Sequence, residues 1–354
     1  MRGTAIVAGL LALTAAANGE VVWLETSYDF GLMKEQAGPK QGFVRFVNRG
    51  PETVQVLEAR PTCGCTDASY PEGPVAPGDT AVIRFTYDPT GRPGRFDKSI
   101  KVRFQDGKRM SVKIRGNVLG TPESLEQFYP VDAGALRLSD SKVMAGTMEI
   151  GKTPSQFVNA YNTLNDSVSV AARCDEKAMK LKLSENRIGP GDVVTLAMYF
   201  DTRAYGNYGP VSVPVTIISA PGTPEERNCR VDFTGQVMPV RHAVSARELE
   251  KAPVCDPLPP VVDLGKIDSR PRPVELTVMN SGRSELRVLN VWSDSPAVKV
   301  KDFPAKIKKG KSGAIRVEFN PAATVRSPFR IAVKVVTDDP VNPLKEINLT
   351  GSIE

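Results

Sequence analysis

The sequence predicts an all-β protein: three tandem immunoglobulin-like β-sandwich domains behind a signal peptide. Three observations carry this. A set of landmarks recurs three times along the 354 residues, at spacings of 113 to 119. Within each copy the apolar residues alternate with a period of two, as in half-buried strands. Clusters of Gly, Pro, Asn and Asp punctuate the alternating runs, as turns do.

The elements follow in order. Residues 1–19 hold Arg2, an apolar run from Ala5 to Ala17 and the small residues Ala15-Ala16-Ala17-Asn18-Gly19. This is the pattern of a secretory signal peptide. The run is shorter than the ~20 residues that span a bilayer. No other apolar run in the chain reaches that length, so the mature chain carries no transmembrane segment and is expected to be exported, to the periplasm, the cell surface or the medium. The first domain is read over 20–118, a linker over 119–134, the second domain over 135–237, a second linker over 238–260 and the third domain over 261–354.

The repeats set these boundaries. Opening glycines stand at Gly31, Gly146 and Gly265, and closing glycines at Gly116, Gly235 and Gly351. Phe43–Asn48 aligns with Phe157–Asn162 and with Glu275–Asn280. A central turn recurs as Ala76-Pro77-Gly78-Asp79, Gly189-Pro190-Gly191-Asp192 and Lys308-Lys309-Gly310-Lys311. An alternating run follows each one: Ala81–Tyr87, Val193–Phe200 and Ala314–Phe319. The first linker, with Thr121-Pro122 and Tyr129-Pro130, reads as irregular. The second holds Ser245-Ala246-Arg247-Glu248, a capping box able to start one short helix.

Composition narrows the chemistry. The chain has one histidine, His242. Ser-His-Asp and Cys-His nucleophile systems need a histidine at the reacting centre, and zinc hydrolase sites usually need two or three. No enzyme activity is expected. The formal charge of +6 comes from 46 basic and 40 acidic residues, an ordinary mixed surface. With an export signal, nucleic acid is not an expected partner.

The first domain carries a resemblance. Tyr28-Asp29-Phe30-Gly31, Phe46-Val47-Asn48-Arg49-Gly50, Cys63-Gly64-Cys65-Thr66, Pro74–Gly78 and Gly94–Lys98 resemble the bacterial domain-of-unknown-function fifteen-seventy-three family. That family belongs with the hydin-like (ASH, major-sperm-protein-related) immunoglobulin domains. The likeness covers about Trp23–Val118, and more weakly Val261–Ile353, which lacks the cysteine pair. The second domain departs most, with Asn162-Thr163-Leu164 in place of an Asn-x-Gly turn. The resemblance implies exported, non-catalytic binding or scaffolding modules and names no substrate or cofactor.

Cys63-Gly64-Cys65 is the sharpest local feature. Two thiols at this spacing serve as a redox pair, a soft-metal ligand pair for an ion such as Cu(I), or part of a structural turn. The third domain has Ser295 at the aligned place, so the fold does not require the pair. In a straight strand residues i and i+2 lie ~6.6 Å apart, and disulfides prefer ~5.5–6 Å. Gly64 lets the segment kink, so the sulfurs are expected on one side of a turn at a strand's end, close enough to bridge. Cys174 and Cys229 are a candidate disulfide of the second domain, and Cys255 lies in the second linker.

Arg92, Arg95, Lys98, Lys101 and Arg103 form one basic stretch, and Lys306, Lys308, Lys309 and Lys311 another. Arg92, Arg95, Lys98, Lys308 and Lys309 are candidates for binding a partner. Lysine-rich sheet edges also block edge-to-edge aggregation. Asp338-Asp339 with Asn342 reads as a polar hairpin turn rather than a calcium loop. The leading functional expectation is a non-enzymatic exported protein that binds or scaffolds a protein partner in the envelope by β-augmentation. The alternatives are thiol-redox or copper handling at Cys63 and Cys65, and a pilus-type periplasmic chaperone.

Overall fold

The computed structural model describes residues 21–240, 244–322 and 326–354. The expected signal peptide and His242 lie outside the described residues. The described chain is built almost wholly of strands, in six sheets that fall into three successive face-to-face pairs.

The first sandwich contains β1 (Val21–Trp23), β2 (Ser27–Lys34), β3 (Lys40–Asn48), β4 (Val56–Pro61), β5 (Thr66–Ser69), β6 (Thr80–Tyr87), β7 (Gly94–Phe104) and β8 (Arg109–Leu119). One sheet has the order β1-β3-β6-β5 and the other β2-β8-β7-β4. The alternation read in the sequence is the alternation observed. Val44 and Phe46 of β3 are buried, while Phe43 and Arg45 face out. Phe46, Ile83, Phe85, Tyr87, Ile100, Phe104 and Ile114 fill the space between the sheets. One inward row of this kind per strand is what gives a sandwich its core.

The second sandwich has two five-stranded sheets. One runs Met179–Leu183, Val193–Phe200, Ser155–Asn162, Leu136–Leu138 and Val131–Ala133; the other runs Lys142–Glu149, Arg227–Met238, Gly209–Ser219, Val168–Arg173 and Arg187–Ile188. The third sandwich pairs a four-stranded sheet (Cys255–Pro257, Arg272–Asn280, Ser312–Phe319, Val298–Asp302) with a five-stranded one (Val261–Ile267, Leu344–Ile353, Phe329–Thr337, Leu286–Trp292, Lys306–Ile307). By compactness the chain divides into two units. One comprises the described residues to Pro130 with Tyr161–Ser167 and Ile188–Val193; the other comprises Val131–Ala160, Val168–Arg187 and Val194–Glu354.

The first linker is not irregular. It holds a helix, α1 (Pro122–Phe128), followed at once by the strand Val131–Ala133. Thr121 caps the helix by accepting from the Ser124 N–H at 3.1 Å, and Pro122 takes the first helical turn, where no N–H is needed. Glu35 receives the Thr121 N–H, the Gly91 N–H and the Ser124 hydroxyl at 3.0, 2.7 and 2.5 Å. In the second linker the capping box of Ser245 and Glu248 forms and starts a short helix, Ala246–Leu249.

Two repeated devices explain the repeated sequence. The first is a buried asparagine. Asn48, Asn162 and Asn280 are each fully buried. Each amide donates to the carbonyl four residues ahead (Glu52, Asp166, Ser284) at 2.7–2.8 Å. Each also reaches the segment before the central turn, at the carbonyls of Val75, Ile188 and Ile307. The side chain ties the turn that follows it to the segment before the central turn, and its own buried amide finds its partners there.

The second device joins the glycines. In every sandwich the first long strand runs parallel to the last and slips register once, between Asp29 and Leu32, Met144 and Thr147, and Asp263 and Lys266. Gly31, Gly146 and Gly265 sit at these bulges with φ of 62–66°, a region that costs other residues energy. The closing glycines lie close by on the last strand. A Cβ on Gly235 would stand 3.0 Å from the Gly146 carbonyl oxygen, and one on Gly351 would stand 2.7 Å from that of Gly265. In the second and third sandwiches the opening and closing glycines are therefore two halves of one close backbone approach, while in the first Gly116 makes room for the side chains of Phe96 and Phe30.

Candidate functional site

The Cys63-Gly64-Cys65 segment is the turn by which the chain leaves β4 in one sheet for β5 in the other. Its Cα atoms are 5.3 Å apart and the sulfurs are joined, at 2.00 Å. The separation is below that of a straight strand because the backbone turns at Gly64. The expected placement, both sulfurs on one side of a kinked turn at a strand's end, is the observed one. Cys65 is buried at 6 % exposure and belongs to the core, while Cys63 is half-buried at its margin. The Thr66 hydroxyl lies 3.5 Å from the Cys63 sulfur and 3.9 Å from that of Cys65.

The bridge does little for stability. Closing so short a loop removes only about 1–2 kcal/mol of chain entropy from the unfolded state, against ~3 kcal/mol for a 15-residue loop. The other two sandwiches fold without it.

Beside the bridge lies an open groove of about 440 Å³, lined by Cys63, Cys65, Tyr87, Phe96, Arg92, Arg95 and Lys98 among others. Tyr87 and Phe96 stack at 3.8 Å between ring centres. Burial pushes the Tyr87 phenol up. Arg92 is exposed and pinned to its own loop, donating to the carbonyls of Thr90 and Asp88 at 2.6 and 3.2 Å. The backbone N–H of Thr90 beside Asp88 holds that carboxyl below its usual range.

Lys98 is the unusual member. Phe96, Ile100, Val102 and Phe104 form the inward row of β7, and Lys98 occupies the same row, opposite Ile114 of the core. The closing glycines fix the equivalent positions. Phe96, Val211 and Phe329 face Gly116, Gly235 and Gly351 respectively. Two residues on stand Lys98, Val213 and Ile331. Val213 is 3 % exposed. The one sandwich with the cysteine pair thus carries a lysine where the others carry an aliphatic residue.

The structure brings together candidates that were separate in the sequence: Cys63 and Cys65 with Arg92, Arg95 and Lys98. Lys101 and Arg103 point to the outer face of the same sheet, where Arg103 pairs with Glu58 at 3.3 Å. Lys308 and Lys309 are exposed in the central turn of the third sandwich. Asp338 and Asp339 do organise a hairpin turn: Asp339 accepts the N–H groups of Val341 and Asn342, each at 3.0 Å, and Asp338 pairs with Arg287 at 2.9 Å.

One expectation is corrected. Cys174 and Cys229 are free thiols. They follow or lie in Val168–Arg173 and Arg227–Met238, which flank Gly209–Ser219 on opposite sides. Two strand spacings put them ~9–10 Å apart, beyond the ~7 Å a disulfide spans. In Cys63 and Cys65 each sulfur is bonded to the other and, in this state, offers no thiolate to a soft metal. Among the described residues no group of three or more His, Cys, Asp or Glu side chains is placed to hold a metal.

The family of proteins of unknown function DUF1573 matches residues 21–118 and 260–353, together more than half of the chain. The chain belongs to the DUF1573 family. The two matches are the first and third sandwiches, so this DUF1573 protein carries a divergent sandwich between two regular ones. It is similar to a protein of unknown function from Porphyromonas gingivalis W83, at 17 % identity and a TM-score of 0.48, over 62 % of this chain and 100 % of that one. It is similar to an ASH/PapD-like domain of human CEP192, at 13 % identity and a TM-score of 0.26, over 31 % of this chain and 89 % of that one. It is also similar to the E. coli chaperone DraB, at 9 % identity and a TM-score of 0.25, over 62 % of this chain and 96 % of that one. No curated protein matches the sequence. Among the described residues no helix is long and apolar enough to cross a membrane.

Proposed function

We propose that this protein is an exported, non-enzymatic module that binds or scaffolds a protein partner in the cell envelope. One observation supports the reading above others. Phe43 and Phe157 occupy equivalent positions in the first and second sandwiches, and both are exposed, at 46 % and 54 %. An aromatic ring left in water twice at one place in a repeat is a feature of a contact surface, since aromatic side chains anchor interfaces. In the first sandwich the Arg45 guanidinium lies 6.0 Å from the Phe43 ring centre, adding a cation to the patch. The edge strand β5 of the same sheet bonds to β6 alone within its sheet, and an extended partner segment adds there as a further strand.

The test is retention of envelope proteins by the immobilised mature chain. A discrete partner is expected, and the Phe43→Ser/Phe157→Ser double variant should lose it by about tenfold or more. Equal retention by the double variant defeats the reading. Export is checked separately: the mature N-terminus should begin near residue 18 or 20, and an intact residue 1 on the folded product contradicts it.

A further inference from the structure

We propose that the Cys63–Cys65 bridge is a thiol–disulfide exchange site for a thiol-bearing protein, with Cys63 as the attacked sulfur and Lys98 stabilising the thiolate that departs. The inference stands apart from the partner surface at Phe43 and Phe157.

Four observations carry it. The bridge is dispensable to the fold, since the sandwiches without it keep the same strand order. Its two sulfurs differ in access: Cys63 is half-buried at the groove and Cys65 is buried in the core. Both line a groove wide enough for a side chain to enter. The same groove receives Arg92 and Lys98, and Lys98 stands on an inward row where the other sandwiches place Val213 and Ile331. A lysine on a core row sacrifices apolar burial, and here it brings a positive charge to the groove that both sulfurs line. Cations lower the pKa of a neighbouring thiol and so make it a better leaving group. The Thr66 hydroxyl, within 4 Å of both sulfurs, is a donor for the same charge.

The step balances without a further reagent. The partner's thiol loses its proton to water and attacks the Cys63 sulfur. A bond forms between the two, the Cys63–Cys65 bond breaks, and its electron pair leaves on the Cys65 sulfur. A second thiol of the same partner then attacks the mixed disulfide and releases Cys63 as thiolate. The partner's dithiol is oxidised, the cysteine pair is reduced, and both protein thiolates take protons from water.

The experiment uses the folded mature protein with reduced glutathione as the probe thiol, acid quenching and peptide mapping by mass spectrometry. The expected adduct is on Cys63 with Cys65 free. Lys98→Val, which installs the residue of the second sandwich, should slow adduct formation about tenfold with an unchanged far-ultraviolet spectrum. Should that variant melt early, Arg92→Gln at an exposed position gives the second measurement, with a smaller slowing in the same direction. Adduct formation only in the unfolded protein, an adduct on Cys65, or rates unmoved by both substitutions overturns the proposal.

Discussion

The side-chain amide of Asn48 donates to the backbone carbonyl of Val75 at 2.9 Å, and Asn280 makes the same bond to Ile307 at the same distance. Both asparagines are closed to water, so each amide must find its partners inside the protein; the Val75 carbonyl takes the amide of Asn48 beside the backbone N–H of Val54. Asn280→Ala should cost about 2–3 kcal/mol, since it removes buried bonds to the Ile307 carbonyl and the Gly282 N–H and a part-buried one to the Ser284 carbonyl. Asn280→Asp should cost no less, because a carboxylate cannot donate to either carbonyl. A denaturant midpoint within 0.5 kcal/mol of wild type, on the order of surface substitutions, would show that the repeat position is incidental.

Glu35 gives the fold an acid-sensitive point. Burial raises its pKa, but the Ser124 hydroxyl and the N–H groups of Thr121 and Gly91 outweigh burial and hold the carboxyl below its ordinary value. A lowered folded pKa means stability that is fully present above the unfolded value and lost as pH falls through the folded one. The melting temperature of the wild type should therefore fall more steeply below pH ~4.3 than that of Glu35→Gln. Parallel acid profiles for the two proteins would refute this.

Cys255 should resist thiol reagents. It is fully buried in the third sandwich, and burial pushes its thiol up to about 11. At pH 8 the thiolate fraction is then on the order of a thousandth. Iodoacetamide labelling should reach Cys255 only on unfolding, while Cys174 and Cys229, both partly exposed, label first. Early modification of Cys255 in the native protein would contradict the placement.

Gly116 supports the ring of Phe96. A Cβ at this glycine would stand 2.9 Å from two ring atoms of Phe96 and 3.1 Å from the Cβ of Phe30. Gly116→Ala should cost about 1–3 kcal/mol through overpacking. A substitution at Gly64, where a Cβ would meet nothing within 4 Å, should cost far less. Equal losses at the two sites in thermal melts would count against this account.

The third sandwich shares apolar surface within its compact unit. Trp292 and Val336 bury against Met238, with Tyr208, Leu289 and Leu344 around them. Residues 254–354 expressed alone should fold, because that span holds the whole of the sandwich's core, Cys255 included. Its single tryptophan, 8 % exposed in the full chain, should emit at longer wavelength than Trp292 does in the full chain. The Trp23→Phe full-length variant supplies that reference. Identical emission would mean that this cluster leaves Trp292 no drier than its own sandwich does.

The strands were legible because period-two alternation survives in single strands: Val44 and Phe46 read as inward before any partner is known. The glycine pairs were visible as landmarks, yet their contact was not, because Gly265 and Gly351 meet only through the parallel pairing of Val261–Ile267 with Leu344–Ile353. Lys98 read as one charge in a run at spacings of three. Its inward row follows from its place between Phe96 and Ile100, and the aliphatic character of that position appears only when the closing glycines align β7 with Gly209–Ser219 and Phe329–Thr337. The helix α1 had its signal in Thr121-Pro122, but seven residues are too few for a 3.6-residue period to declare itself. Cys174 and Cys229 looked like partners because spacing along the chain says nothing of which strand lies between them.

The parallel pairing of the first long strand with the last in every sandwich has a mechanical consequence. Tension applied at the two ends of a domain pulls these neighbours in opposite directions along their length. Their hydrogen bonds are then loaded together in shear, whereas a hairpin pulled open from its free end gives way one rung at a time. The kink at Gly31, Gly146 or Gly265 divides each such ladder into two short clamps, so a domain under load should yield in two stages, one clamp before the other.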